Sequence, residues 1–246
     1  MNMVVKILLG AVIVLAAILS ESCSEKKAGP NSLSKEEKEQ GWVLLFDGES
    51  TRGWHVYNEG AVPSVWVVKN GELVCDPEVE SGSRGDLVSD GSYTNFEFRF
   101  DWKISQAGNS GVFINVQEDT AYKTAWATGP EYQLLDNANV TDHNKGDAKR
   151  QAGSLYALAD LKNNASPKPF GEWNEGRILQ ENGRVQFWLN GVLSAEEDFN
   201  SDSWKEMVAT SNLGKFPGFG KAVSGRLALQ DWAKGVSFRN LKIREL

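Results

Sequence analysis

The stretch at residues 95–104 narrows the possible folds of this chain more than any other. Phe96, Phe98, Phe100, Trp102 and Ile104 alternate with Asn95, Glu97, Arg99, Asp101 and Lys103. Successive side chains of a strand point to opposite faces. An apolar period of two held this long predicts an antiparallel strand with one face in a core and the other in water. Shorter apolar runs follow at residues 65–68, 72–75, 111–116, 185–189, 192 onward, 226–230 and 236–243. Asn70-Gly71 and Asn190-Gly191 separate pairs of these runs and are favoured hairpin turns. In the last run the apolar parity slips from Val236 and Phe238 to Leu241 and Ile243, which predicts a β-bulge near Asn240. Helical spacing is confined to residues 34–40 and 201–208. Many strands, frequent glycine turns and no alternation of strand with helix predict an all-β, antiparallel β-sandwich of jelly-roll type.

The N-terminus is set aside from that fold. After Lys6 comes an apolar run, residues 7–19, too short to span a bilayer, then small polar residues and Cys23. Residues 1–23 read as a lipoprotein signal peptide with Cys23 as the lipidated residue, although Leu19 lies one place further upstream than the usual lipobox leucine. This places the protein in the cell envelope, on the periplasmic or outer-membrane face, with the Cys23 lipid as its membrane contact. Residues 24–40, polar and rich in Lys and Glu, read as a tether. Residues 41–246 are then a single domain, long enough to fold without a disulfide. Cys75, the other cysteine, sits in an apolar run and reads as a packing residue.

A net charge of −7 without a clustered Lys/Arg stripe argues against nucleic acid. Nine Trp and five Tyr, together with Asn, Gln and Asp, suit a saccharide, whose C–H faces stack on rings while its hydroxyls need paired donors and acceptors. There is no GxSxG elbow, phosphate loop or HExxH, and two histidines cannot build a His-rich zinc site. His55 lies in a segment that reads as structural, and His143 lies in a polar loop. The candidates for chemistry are therefore carboxylates, amides and aromatics. In GPEYQLLDN, residues 129–137, Glu131 and Gln133 emerge from one face of a short strand, about 7 Å apart. A solvated edge face would explain that pair as well as a site would.

The ordered series LFDG (45–48), YTNFEFRFDWKI (93–104), NSGVF (109–113), TGPEYQLLDN (128–137), GSLY (153–156), EWN (172–174), WLNG (188–191), LALQD (227–231) and VSFRNLKIREL (236–246) resembles the 3-keto-disaccharide hydrolase family, formerly a domain of unknown function and frequent in Bacteroidetes lipoproteins. The resemblance implies a concanavalin A-like sandwich with its site on the concave face of one sheet. It also implies a glycoside substrate already oxidised to a ketone at sugar carbon 3.

Such a ketone acidifies the carbon-2 proton. A carboxylate can remove that proton while an electrophile holds the enolate oxygen, the carbon-1 oxygen leaves, and water adds back. Glu131 is the expected base, or a metal ligand near it, with Asp136 and His143 as further catalytic candidates. Asn109, Gln133, Tyr156, Trp173, Gln230, Asp231 and Trp232 are the expected saccharide contacts. A divalent cation held by carboxylate and carboxamide oxygens is a conceivable electrophile. Family members commonly carry His after LQD where this chain has Trp232; if that histidine is a base or a metal ligand in relatives, this chain either uses His143 instead or has lost the activity. The alternatives are a non-catalytic, lectin-like glycan-binding module, in which Trp232 is a stacking platform, and a structural lipoprotein, which a large exposed apolar patch would mark.

Overall fold

The structure is a computed structural model describing residues 29–246 except Ala233; the signal peptide, Cys23 and the start of the tether lie outside the described residues. Its strands form two antiparallel sheets. The larger runs in the order β11 (Val192–Asp198), β10 (Arg184–Leu189), β9 (Asn174–Glu181), β6 (Phe96–Ile104), β13 (Val236–Glu245), β4 (Glu72–Cys75) and β3 (Trp66–Lys69), and β1 (Val43–Leu44) also pairs with β13. The smaller runs β2 (Trp54–Val56), β5 (Leu87–Tyr93), β12 (Gly225–Leu229), β7 (Asn109–Val116) and β8 (Glu131–Leu135). This is the antiparallel sandwich expected from the sequence.

The alternating segment is β6, in the middle of the larger sheet, and its five apolar side chains are at most 2 % exposed. Each fully buried side chain of this kind contributes about 1.5–3 kcal/mol. They meet Val112 and Ile114 of β7, Tyr132 and Leu134 of β8, and Leu227 and Leu229 of β12 in one core between the sheets. Phe100 packs edge-on against Tyr132 at 5.4 Å between ring centres. Because Tyr132 and Leu134 point inward, Glu131 and Gln133 point to the outer face of the smaller sheet.

The predicted bulge is present. Arg239 lies opposite Asp101 and Lys242 opposite Arg99, so β13 carries one extra residue, with Asn240 at φ 54°. That insertion returns Leu241 and Ile243 to the core face. Asn70-Gly71 and Asn190-Gly191 turn with positive φ as expected; Asn182-Gly183 does the same between β9 and β10, a hairpin the sequence reading did not place. Cys75 is buried and unpaired, and burial pushes its thiol pKa well up.

The described part of the expected tether is not free, which corrects that reading from residue 31 onward. Ser34 caps α1 (Lys35–Glu39) and receives Glu37 in return, a reciprocal capping box. Asn31 and Asn240 exchange amide-to-side-chain hydrogen bonds of 2.6 and 2.8 Å, and Asn31 Nδ2 donates to the Gly71 carbonyl at 2.7 Å. Glu37 pairs with Lys242. Among the described residues no helix is long and apolar enough to cross a membrane.

Candidate active site

Glu131 opens β8, and the strand beside it makes room for it. A Cβ added to Gly111 of β7 would lie 2.0 Å from Glu131 Oε1, so the carboxylate rests across bare backbone. The chain before β8 is equally tight, because a Cβ on Gly129 would meet Val116 Cγ2 at 2.7 Å. On the outer edge of β8, the Tyr156 amide donates to the Glu131 carbonyl at 3.1 Å and the Gly153 amide to the Gln133 carbonyl at 2.8 Å. Both sides of the strand are thus hydrogen-bonded, and the site sits on rigid backbone.

The Gln133 carboxamide satisfies its neighbours when its nitrogen faces Glu131 Oε1 at 3.0 Å and the Ser110 carbonyl at 3.2 Å, with its oxygen toward the Asn109 side chain at 3.2 Å. Ser110 Oγ donates to the Gln230 carbonyl at 2.8 Å, and the Gln230 amide donates to the Gly111 carbonyl at 2.9 Å. These bonds knit the ends of β7, β8 and β12 into the floor of a cleft of about 260 Å³. Asn109, Glu131, Gln133 and Gln230 supply its polar side chains, with His143 and Tyr156 on one wall. Phe113, Trp126, Leu213, Phe219 and Trp232 supply flat or apolar walls, and Trp232 is 61 % exposed at the rim.

Glu131 is 7 % exposed and has no ion-pair partner among the described residues. Burial holds its pKa well above the usual carboxylate range, and the nearby Asp86 charge raises it further. Its ionised form is therefore a stronger base than an ordinary carboxylate. Tyr156 Oη lies 3.4 Å from His143 Nε2 and donates to Asn144 Oδ1 at 3.3 Å. Burial, and then the Glu131 charge, raise the tyrosine pKa, so its proton stays available for donation.

Asp86 is the acidic group that the sequence reading missed. It is 8 % exposed and accepts from the amides of Asp231 at 3.1 Å and Ala125 at 3.3 Å. Burial pushes its pKa up to about 7; the two amide hydrogen bonds oppose the shift and the Asp231 charge adds to it. It braces the segment carrying Trp126 to the segment carrying Gln230 and Trp232. Nothing periodic marks Asp86 in the sequence, where it follows the polar run SGSRG. Phe113 and Trp126 were missed for the same reason, since they reach the cleft through strand pairing and a 3-10 turn, Ala125–Ala127.

Three expected site residues belong elsewhere. Asp136 is a loop staple, accepting from the Ala107 amide at 2.8 Å and from Asn139 Nδ2 at 2.9 Å. Asp231 turns away from the cleft to Arg84 Nη2 at 2.6 Å and the Gly85 amide at 3.0 Å. Trp173 lies with the larger sheet, under Arg239 at 4.1 Å and Lys103 at 4.6 Å. Each was placed by its nearness to a motif, but strand parity and local turns aim these side chains at other partners. His55 is structural as expected, held between Asp90 at 2.6 Å and Glu118 at 2.9 Å.

The donor set is a poor match for Ca2+, which takes six to eight oxygens, commonly from several carboxylates. Glu131 is the one carboxylate lining the cleft, and among the described residues no group of three or more His, Cys, Asp or Glu is placed to hold a metal.

Comparison with known proteins agrees with this architecture. Residues 41–244 match the model of a family described as a 3-keto-alpha-glucoside-1,2-lyase-like domain. The chain is 32 % identical over 252 aligned positions to a 3-keto-disaccharide hydrolase of Bacteroides thetaiotaomicron, covering 93 % of this chain and 86 % of that protein. It is 35 % identical to a Parabacteroides distasonis protein of known crystal structure, provisionally assigned as a glycosyl hydrolase, with a TM-score of 0.80 over 89 % of this chain and all of that one. A second crystal structure from the same organism, 24 % identical with a TM-score of 0.62, shares the fold. With its sandwich, its ordered motifs and this match along nearly the whole folded chain, the protein belongs to the 3-keto-alpha-glucoside-1,2-lyase-like family.

Proposed function

We propose that this protein is a carbohydrate-active enzyme that cleaves the glycosidic bond of a 3-keto-glycoside or 3-keto-disaccharide. The observation that carries the reading is the buried Glu131 carboxylate, without an ion-pair partner among the described residues, in a cleft whose other groups are amides, one phenol, one imidazole and aromatic or apolar walls. The 3-keto-disaccharide hydrolase from Bacteroides thetaiotaomicron supports the substrate class.

In this scheme ionised Glu131 takes the carbon-2 proton, and the C–H electron pair moves into a carbon-2/carbon-3 enolate. Amide donors of Asn109 or Gln230, or the Tyr156 hydroxyl, stabilise the oxygen charge that develops at carbon 3. The carbon-1 to oxygen bond then breaks, and the leaving oxygen takes a proton from His143 or solvent. Water adds across the resulting double bond, hydroxyl to carbon 1 and proton to carbon 2. Only one base is needed, so the two carboxylates at fixed separation used by ordinary glycosidases are not required.

Purified chain should release aglycone from a 3-keto-glucoside, and Glu131→Gln should lower kcat at least about 100-fold. Near-native turnover by the variant would remove Glu131 from its role. The exposed ring of Trp232 favours a second reading, a glycan-binding module. Calorimetric binding of intact sugars with no product from keto-sugars would establish it instead. The reading also includes anchoring in the cell envelope through a lipid on Cys23, supported by residues 7–23 of the sequence. Mass spectrometry of the membrane fraction should find the chain beginning at acylated Cys23, and Cys23→Ala should release it.

A further inference from the structure

The outer face of the larger sheet carries a second groove, of about 600 Å³, which the cleavage chemistry leaves unused. Its walls include Arg99 and Asp101 of β6, Glu175 and Arg177 of β9, Trp188 of β10 and Lys242 of β13. Both sheets separate it from the Glu131 cleft. Beneath it lies Glu97, 1 % exposed, which binds Arg177 Nε at 2.6 Å, Arg99 Nη2 at 2.7 Å and Arg244 Nη2 at 2.7 Å. Three guanidiniums on one carboxylate leave two positive charges in excess. Asp101 is neutralised by Arg239 at 3.0 Å and Lys242 by Glu37, so Glu175 is the remaining anion and the groove is net positive on a chain of charge −7.

Arg177 is fixed at two points. Its Nε is tied to Glu97 and its guanidinium carbon stands 3.8 Å from the centre of the Trp188 ring. Its two terminal nitrogens have no protein acceptor among the described residues. A held guanidinium with free donors matches the geometry of a carboxylate. The exposed Glu175 side chain has no ion-pair partner among the described residues and can accept from hydroxyls.

We propose that this groove is a second binding site, for a saccharide that carries a carboxylate, such as a uronic acid unit. The sugar carboxylate meets the free terminal nitrogens of Arg177, its hydroxyls donate to Glu175, and its ring edge lies along Trp188. Glu175 also discriminates, since a ligand with successive negative charges must set one of them against it.

Isothermal titration of the purified chain with methyl galacturonoside, which carries a single carboxylate, its neutral methyl ester and a poly-aspartate peptide tests the site. The acid should bind, its ester at least tenfold more weakly, and the peptide no better than the ester. Arg177→Gln should weaken the acid at least tenfold and Glu175→Ala several-fold, with turnover on a 3-keto-glucoside unchanged in both. No binding of the acid, equal binding of the ester, tight binding of the peptide, or indifference to both substitutions would each overturn the assignment. Should Arg177→Gln fail to fold, the exposed Glu175→Ala and the ester comparison still decide it.

Discussion

At the scale of single residues, the proposed chemistry rests on how Glu131 is buried. A base must be ionised to act, and burial together with the Asp86 charge raises the Glu131 pKa. The expected kcat/KM therefore climbs with pH along a limb lying above the ordinary carboxylate range. Asp86→Asn removes one of the two causes, so this limb should move to lower pH, a shift that a purely structural brace would not produce. A pH profile of both proteins checks this. Gly111 supplies the second residue-scale test, because only a hydrogen occupies the space where its Cβ would meet the Glu131 carboxylate. Gly111→Ala should leave far-UV circular dichroism intact while lowering kcat by about 100-fold, the scale of a misplaced catalytic group.

Among the elements, β13 shows how local chemistry and long-range pairing act together. Asn240 takes φ 54° to insert one residue, donates to Asp101 Oδ2 at 2.7 Å and exchanges bonds with Asn31. A β-branched residue is strained in that conformation, whereas glycine is not. Asn240→Val should lower stability relative to Asn240→Gly by about 1–3 kcal/mol, seen as a lower Tm by differential scanning calorimetry. The parity slip in the sequence marked this bulge. The docking of residues 31–40 had no such mark, because its partners Asn240, Gly71 and Lys242 come from distant parts of the chain.

For the whole molecule, buried carboxylates shape the pH dependence of stability from opposite sides, Glu97 on one and Asp86 with Glu131 on the other. Burial alone would raise the Glu97 pKa, but hydrogen bonds from Arg177, Arg99 and Arg244 lower it to about 2. Its contribution is present above the unfolded value near 4.5 and is lost as pH falls through about 2. Asp86 is raised from 3.8 to about 7, so its contribution is greatest below the unfolded value and is lost as pH rises through about 7. Calorimetric Tm should therefore decline as pH rises from about 4 through about 7, and Asp86→Asn should make that decline shallower, with the remainder from Glu131. Glu97→Gln should cost about 2–3 kcal/mol at neutral pH, softened because its three arginines are partly exposed and can rehydrate.

The sequence by itself determined nine of the thirteen strands, leaving β1, β2, β5 and β9 unplaced, together with three asparagine turns or bulges and the aromatic and amide character of the site, since period-two patterning and turn residues are local properties. It also placed Glu131 and Gln133 on one face. Tertiary structure alone decided which polar neighbours joined them. Asp86, Trp126 and Gln230 meet the strand end through sheet order and loop closure, while Asp136, Asp231 and Trp173, equally close to motifs, are turned to other partners. Which buried carboxylate lacks a cation depends on groups far apart along the chain, and only folding sets those distances.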